Sequence, residues 1–458
     1  MKKTLSVLLL ALALNASDIG ISKALTLDEA IEILKSKNLE IKSASLDVDS
    51  AKVEVKTASG NHWGKLDFIQ DFANSNDAGN VFGFKLASRE ADFAAFGFDE
   101  FLGWMNGGMN GDVLSIQPNK LNYPESRNFF QSKLKYEVPL FTGFQISSYV
   151  EIMESMSKMK GLEKEQVINE QIYQIRKSFY DMALLRSSTK NLEKILSNIE
   201  TLENMTEEMI AVGYAKKVDL LEVQAKKGNV ERLLLQMKSN QELLYHYISF
   251  LLNEKVKNIT TTVSDVEMPQ LSNSDILNNN LDIKRATTGL EVRQSMLDLS
   301  KASYYPMIGA FAEISTADDT FLGDADDHKA YTVGARLSWN IFNGGIDGAN
   351  IEKSRIEKLK TKTQVELAKK GITLKVDKIR TEIETYNLEI SSLHKELTLA
   401  NEIYKNYEGR YREKLTSMSD VIIKQSEQIQ KILELQMAKN KRNERIFALE
   451  KLANGENR

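Results

Sequence analysis

The sequence predicts a mainly α-helical chain with a small β part, built as a duplicated unit of helix, strand, strand and long helices. Three observations lead to this prediction. One motif occurs twice at a constant distance, apolar residues recur at helical spacing over very long stretches, and short alternating runs precede them. Because a solenoid needs at least three short repeats, two long copies are typical of a doubled supersecondary unit.

The duplication is clearest where an alternating run meets a long polar helix. The stretch VPLFTGF (138–144) has a counterpart WNIFNGG (339–345). Three pairs of residues lie 201 positions apart: Phe141 and Phe342, Gly143 and Gly344, and Asp219 and Asp420. Upstream, NLEIK at Asn38 matches NLDIK at Asn280 at a distance of 242, which places 41 extra residues in the first repeat, between about Asp77 and Asn128.

Long helices are predicted by apolar residues at alternating steps of three and four. The second repeat has a regular series: Ile372, Val376, Ile379, Ile383, Tyr386, Ile390, Leu393, Leu397, Ala400, Tyr404, Tyr407 and Tyr411. The first repeat has a looser one: Ile146, Met153, Met156, Ile172, Ile175, Phe179, Leu192, Ile195, Ile199, Leu202, Met205 and Met209. At 1.5 Å per residue, a helix from Gly143 to Gly213 would span roughly 100 Å. We interpret both series as helix packing rather than cofactor contacts.

Four strands are predicted by alternation. YTVGARLSWNI places Tyr331 and Val333 opposite Thr332 and Arg336, and SKLKYEVPLF repeats the pattern from 132. Their partners run from about 63 to 72 and from 304 to 315. A soluble half-buried strand has the same pattern, but the length of nine to eleven residues and the aromatic ends favour strands that face lipid.

The N-terminus has the layout of a secretory signal peptide. Lys2 and Lys3 precede an apolar run from Leu5 to Leu14, and small residues follow, with cleavage expected after Ala16 or, as a second candidate, at Ala24. Beyond it no apolar run reaches 18 residues, so membrane crossing is expected to use strands. Lipid admits strands only as a closed barrel. Four strands cannot close one, so copies of the chain must share a barrel, with two or three copies both allowed by this argument.

Composition excludes several function classes. The formal charge of −4 argues against nucleic-acid binding, and the absence of cysteine excludes disulfides, zinc thiolate sites and thiol catalysis. The four histidines lie far apart, and the glycine-rich GWMNGGMNG (103–111) lacks the lysine and helix start of a phosphate loop. We therefore predict no enzyme activity, no cofactor and no metal site. The acidic loop around Asp318, Asp319, Asp324, Asp326 and Asp327 is interpreted as solvated, with divalent-ion binding as the alternative.

The predicted segments follow the duplication. They are a signal peptide (1–16), first-repeat N-terminal helices (17–62), a first strand pair with a long extracellular loop (63–142), a first long helical hairpin (143–252), a linker (253–275), a second-repeat N-terminal helix (276–303), a second strand pair with its loop (304–343) and a second long helical hairpin (344–453).

The PLFTGF and NIFNGG joints, the VDLLEVQ and SDVIIKQ helix starts and the duplicated order of elements resemble the TolC family of outer-membrane factors over essentially the whole mature chain. The resemblance implies a trimer whose twelve strands form one β-barrel, continued by a long periplasmic α-helical barrel. In this interpretation Phe141 and Phe342 anchor the strand-to-helix joints, while Gly143 and Gly344 adopt backbone angles that other residues avoid.

The resemblance also implies a periplasmic entrance at the tips of the hairpins. Asp219 matches the family's first-repeat aspartate and Tyr411 the tyrosine that pairs with it, whereas Thr416 stands in place of a basic partner. Asp420 matches the first of two acidic positions, and Ile423 replaces the second. Glu222, three residues after Asp219, either supplies part of the missing charge or lies on a solvated helix face. Ser417 and Asp420 also form a helix-capping pattern, so capping and gating are both open for Asp420.

These expectations give a main hypothesis and two alternatives. The main one is a passive exit duct in the outer membrane of a Gram-negative bacterium, working with a periplasmic adaptor and an inner-membrane pump of the RND or ABC type, for drugs or other small molecules. The first alternative is a duct for type I protein secretion. The second is a periplasmic coiled-coil scaffold or adaptor, which would be expected to show a single hairpin flanked by small β domains.

Overall fold

The computed structural model describes residues 24–108, 111–260, 266–321, 323 and 327–454. The predicted signal peptide, Asp324 and Asp326 lie outside these residues, as does part of the glycine-rich stretch. The helices are α1 (Leu27–Lys37), α2 (Leu39–Gly60), α3 (Ala78–Ala87), α4 (Phe98–Asn106), α5 (Asn119–Asn122), α6 (Gln145–Ala211), α7 (Lys217–Leu252), α8 (Asn273–Asn279), α9 (Leu281–Lys301), α10 (Ile346–Arg412) and α11 (Met418–Leu452). The strands are β1 (Lys65–Ser75), β2 (Arg127–Phe141), β3 (Met307–Asp318) and β4 (Lys329–Ser338).

The chain forms two compact units. The hairpin unit contains the described residues of Met1–Asp49, Lys158–Thr288 and Thr363–Arg458, and the strand unit contains Ser50–Ser157 and Gly289–Lys362. The mainly helical fold with four strands is the one the sequence predicts, and helices α6 and α10 have 67 residues each. No helix in the described part of the chain has the length and hydropathy to cross a membrane.

The predicted apolar series form the cores of the hairpin unit. Ile175 and Phe179 of α6 are fully buried with Leu34 of α1 and Leu252 of α7. A second core holds Ile199 and Val230 with Tyr404 and Val421, so all four long helices contribute to it. Burying such side chains contributes about 1.5–3 kcal/mol each. Met156, at the start of the looser series, is 44% exposed.

Two equivalent asparagines, one in each repeat, make the same hydrogen bonds. The buried Asn38 donates from Nδ2 to the Leu251 carbonyl at 2.8 Å and accepts from the Ile41 amide. Asn280 makes the equivalent bonds to the Leu452 carbonyl at 3.0 Å and the Ile283 amide. Each asparagine thus ends one helix, starts the next and satisfies an otherwise orphaned carbonyl at the end of a hairpin. The break at Asn280 also corrects the prediction of one second-repeat helix from 276, because two helices are present and the first begins at Asn273.

The strand unit contains one antiparallel sheet in the order β1-β2-β3-β4. Tyr136 lies opposite Leu66 and Ala312, and Ala312 lies opposite Val333. The residues paired in this way lie on one face of the sheet. The large apolar side chains of that face are exposed: Leu66, Phe68, Phe72, Leu134, Tyr136, Ile314, Tyr331, Val333 and Leu337. The other face is mainly polar and carries Lys65, Asp67, Asp71, Lys133, Lys135, Glu137, Glu313 and Arg336.

Strand β4 ends earlier than the alternation predicts. The sequence pattern extends to Ile341, but pairing stops at Ser338, opposite Met307. Pro306 precedes Met307 and has no amide to donate, so the ladder cannot continue. Trp339 instead donates its indole N–H to the Tyr304 carbonyl at 3.2 Å.

Candidate functional site at the hairpin tips

The hairpin tips are the turns at 212–216 and 413–417, which join the long helices of the hairpin unit. Each preceding helix ends in a Schellman motif. The Tyr214 amide donates to the Met209 carbonyl at 2.8 Å, and the Leu415 amide donates to the Arg410 carbonyl at 2.7 Å. The motif requires a positive φ, which is 77° at Gly213 and 64° at the equivalent Lys414.

The two predicted aspartates cap the helices that follow the tips. The Lys216 amide donates to Oδ2 of Asp219 at 2.7 Å. Asp420 accepts from the Ser417 hydroxyl at 2.6 Å and the Thr416 hydroxyl at 3.0 Å, while its own amide donates to Oγ of Ser417. These bonds from Ser417 and Thr416 lower the pKa of Asp420. Capping is therefore one role of Asp420, and the hydroxyl of Thr416, which stands in place of the basic partner implied by the resemblance, serves that cap.

Tyr411 and Glu222 connect the two hairpins. Tyr411 is buried, with its hydroxyl 3.5 Å from Oγ1 of Thr206 on α6. Burial raises the pKa of Tyr411, and the nearby charge of Asp219 adds to this. In the described part of the chain, the Tyr411 hydroxyl is hydrogen-bonded to Thr206. Asp219 therefore affects the pKa of Tyr411 through its charge alone. Glu222 on α7 accepts from the Ser419 hydroxyl on α11 at 2.5 Å.

A further link was not predicted from the sequence. The Lys414 ammonium lies 3.3 Å from the ring centroid of Tyr214, so a cation–π contact joins one tip to the other. The sequence contains one hint of this contact. Lys414 stands where the first repeat has Gly213, the glycine that ends the helix. Exposed Lys216 and Lys217 also lie beside Asp219, so the tips carry charges of both signs.

The strand-to-helix joints lie in the strand unit and differ in packing. Gly143 and Phe144 have φ of 62° and 67°, and Gly344 and Gly345 have 70° and 82°. A Cβ on Gly143 would lie 2.7 Å from Cβ of Tyr305, whereas the space around Gly344 is open. Phe141 makes an edge-to-face contact with Phe144, with ring centroids 5.4 Å apart. Phe342 is 84% exposed.

Three carboxylates come together at the opposite end of the sheet. Oxygen atoms of Glu90, Asp318 and Asp319 lie within 4.8 Å of one another. The Arg127 guanidinium pairs with Glu90 and lies 3.8 Å from Asp319, so a protein cation balances part of this charge.

The comparisons with known proteins agree with this architecture. The model of the family "Outer membrane efflux protein" matches residues 273–455, which is the second repeat. This match makes the second repeat similar to outer membrane efflux proteins. The predicted resemblance and the predicted location in the outer membrane of a Gram-negative bacterium are thereby confirmed.

Solved structures extend the similarity to both repeats of the chain. A structure of CusC is 14% identical with a TM-score of 0.75, covering 93% of this chain and 91% of the other. The Campylobacter jejuni CmeC outer membrane channel is 12% identical with a TM-score of 0.73, covering 94% and 85%. VceC from Vibrio cholerae is 14% identical with a TM-score of 0.73, covering 94% and 96%. At these identities the similarity establishes the fold. No curated protein matches the sequence.

Proposed function

We propose that three copies of this chain form a channel through the outer membrane, continued by a helical tunnel, and that it serves as the passive exit duct of a tripartite efflux system. The observation that carries the proposal is the four-stranded sheet. It has an exposed apolar face, a polar face and two unpaired edge strands, β1 and β4. Lipid can cover the apolar face, but an open strand edge in lipid costs several kcal/mol per unpaired group.

A ring of sheets removes both edges, since β4 of one copy pairs with β1 of the next. Three copies supply twelve strands, within the range of bacterial barrels, with the polar faces lining the interior. Aromatic side chains support this orientation. Phe72, Phe130 and Phe321 cluster near the loop end of the apolar face, with the centroids of Phe72 and Phe130 5.5 Å apart. Trp63 and Trp339 are exposed near the helix end.

The spacing of these aromatic groups fits the hydrocarbon layer. Pairing of β2 becomes irregular after Pro139, nine residues beyond Phe130. Nine residues extend about 31 Å along a strand, or about 22–25 Å along the membrane normal at a tilt of 35–45°. Outer-membrane barrels have an apolar band about 25 Å tall between aromatic girdles.

The hairpin tips are proposed as the entrance that meets the adaptor and the inner-membrane pump. Asp219, Glu222 and Asp420 place carboxylates there in each copy, which favours cations at a constriction. The neighbouring lysines make that preference modest. Tyr411, with the Lys414–Tyr214 and Glu222–Ser419 contacts, holds the two hairpins of one copy together and would have to yield if the entrance widens.

Small-molecule efflux is the cargo class we propose, because the matching family is one of efflux proteins. Nothing in the duct performs chemistry in this account, so the selection of cargo falls to the pump.

The copy number is tested by measuring the mass of the protein extracted from outer-membrane fractions in mild detergent. The proposal predicts a single species of three chains that dissociates only on strong heating. A stable monomer or dimer with the native helix content would contradict it, since four or eight strands of this tilt cannot enclose a duct that continues into the helices.

A further inference from the structure

The segment between β1 and β2, residues 76–126, is here called the insertion. It has 51 residues, whereas 10 residues separate β3 from β4, and the difference equals the 41 extra residues of the first repeat. The sequence predicts a long extracellular loop. In the structure its described residues include α3, α4, α5 and short 3₁₀ turns.

The insertion packs against the polar face of the sheet. The ring of Phe84 on α3 stacks on Phe129 of β2, with centroids 4.1 Å apart and planes 13° from parallel, and Phe129 is 8% exposed. Side chains alternate along a strand, so Phe129 shares its face with Lys133 and Lys135. This is the face opposite Tyr136 and Phe130.

Two arginines hold the end of α3 in this position. Arg127, two residues before Phe129 and on the same face, pairs with Glu90 and donates to the Ser88 hydroxyl at 3.4 Å. Arg89, with a φ of 55°, donates from its guanidinium to the carbonyl of Lys329 at 2.5 Å. Lys329 begins β4, so the insertion is tied to β2 and β4 and extends across the loop end of the polar face.

The apolar face at the same end is left uncovered. Phe72 and Phe321 stack there with centroids 6.1 Å apart, and they are 64% and 57% exposed. An insertion that simply projected from the membrane would leave both faces open. Here one face is covered, and it is the face that lines the interior of the proposed ring.

We propose that the insertion is an inward-folded constriction at the outer mouth of the channel. This inference rests on the proposed function, because it requires the polar face to line a lumen. Three copies of the insertion would each extend from the barrel wall towards the axis and narrow the exit. The second repeat, with its short loop, adds no such element.

The absence of cysteine allows a direct test by thiol labelling. Ser315→Cys, a nearly isosteric change, places one thiol on the polar face opposite Lys133, three residues from the loop end of β3. Intact cells are treated with maleimide–polyethylene glycol reagents of increasing size, too large for general diffusion across the outer membrane. The same thiol is then measured in a chain whose residues 76–126 are replaced by the second repeat's loop, 319–328.

The proposal predicts that bulky reagents label Ser315→Cys at least tenfold faster in the loop-swapped protein than in the protein with the insertion. Equal labelling with the insertion present and absent would overturn it. If the thiol stays unreactive from outside in both assembled proteins yet reacts after unfolding, the polar face does not line an open lumen and the proposed function fails. Ala312→Cys, on the apolar face, should stay unlabelled throughout.

A second variant avoids the loop replacement. Phe84→Ser with Arg89→Ser removes the stacking and the bond to Lys329 while keeping the chain length. It should speed labelling of Ser315→Cys, whereas Phe93→Ser, at a position that is 80% exposed, should not. Protection that persists in the double variant would also count against an insertion held inward by these anchors.

Discussion

At the scale of single residues, Asp181 on α6 is a carboxyl group that weakens the fold when it is ionised. Burial raises its pKa to about 6; the Lys177 charge opposes the shift and the Glu444 carboxylate adds to it. An unfolded aspartate has a pKa near 3.8. Because the folded pKa is the higher one, the contribution of Asp181 to stability is most favourable below about pH 4 and is lost as the pH rises from about 4 to 6.

We therefore predict that Asp181→Asn stabilises the protein at pH 7.5, by about 3 kcal/mol per chain from a shift of this size. At pH 3.5 most of this difference should disappear, since the carboxyl group is then mostly protonated in both states. Thermal unfolding in detergent at the two pH values measures this. Asp377→Asn, on an exposed position of α10, is the matched control and should show little pH-dependent gain. An equal gain from both changes would contradict the role of burial.

Some residue roles can be predicted from the sequence alone, and others depend on the folded structure. The match of Asn38 with Asn280 is visible in the sequence, but their bonds to Leu251 and Leu452 depend on where the hairpins end. The role of Asp420 in the helix cap follows from its spacing to Ser417. The position of Lys414 over Tyr214 does not follow from any spacing, because it joins turns 200 residues apart.

At the scale of elements, the duplicated joint is where each strand pair passes into a long helix, and two consecutive residues with positive φ make that turn. The sequence identifies both joints by their glycines. It does not show that Gly143 is packed against the turn at 302–305 while Gly344 faces open space. That difference depends on tertiary contacts that motif matching does not reveal.

The paired joints give a matched prediction. Gly344→Ala should lower stability by about 1 kcal/mol, the cost of a left-handed backbone for a residue with a Cβ. Gly143→Ala should lower it by about 3 kcal/mol or more, because the new Cβ would also lie 2.8 Å from the Ala302 carbonyl oxygen. Melting temperatures of the two variants in detergent measure the difference. Equal losses would show that the packing around Gly143 yields without cost.

For the sheet, the sequence predicts the strands and their faces but not the position of the insertion. Alternation predicts four strands and separates an apolar face from a polar one, because the side-chain period of a strand is two. It does not predict that the insertion folds back onto the polar face. That placement depends on Phe84, Arg89 and Arg127 meeting partners on other elements.

At the scale of the whole molecule, a single chain leaves an apolar sheet face and two strand edges unsatisfied. The match of the second repeat to the outer membrane efflux protein family model and the fold that both repeats share with solved outer-membrane channels support a common explanation of these features. In the proposed assembly, lipid covers the apolar face and neighbouring copies cover the strand edges. We propose that the resulting assembly conducts ions.

The decisive measurement is the single-channel conductance of the detergent-extracted oligomer in a planar bilayer, with Asp219→Asn plus Asp420→Asn as the comparison. Asparagine keeps an acceptor for the capping bonds and removes the charge, so any change reports on electrostatics rather than on a lost cap. We expect small openings with a modest cation preference that falls in the double variant while the melting temperature stays within a few degrees. Intact trimers that never open a channel would contradict it.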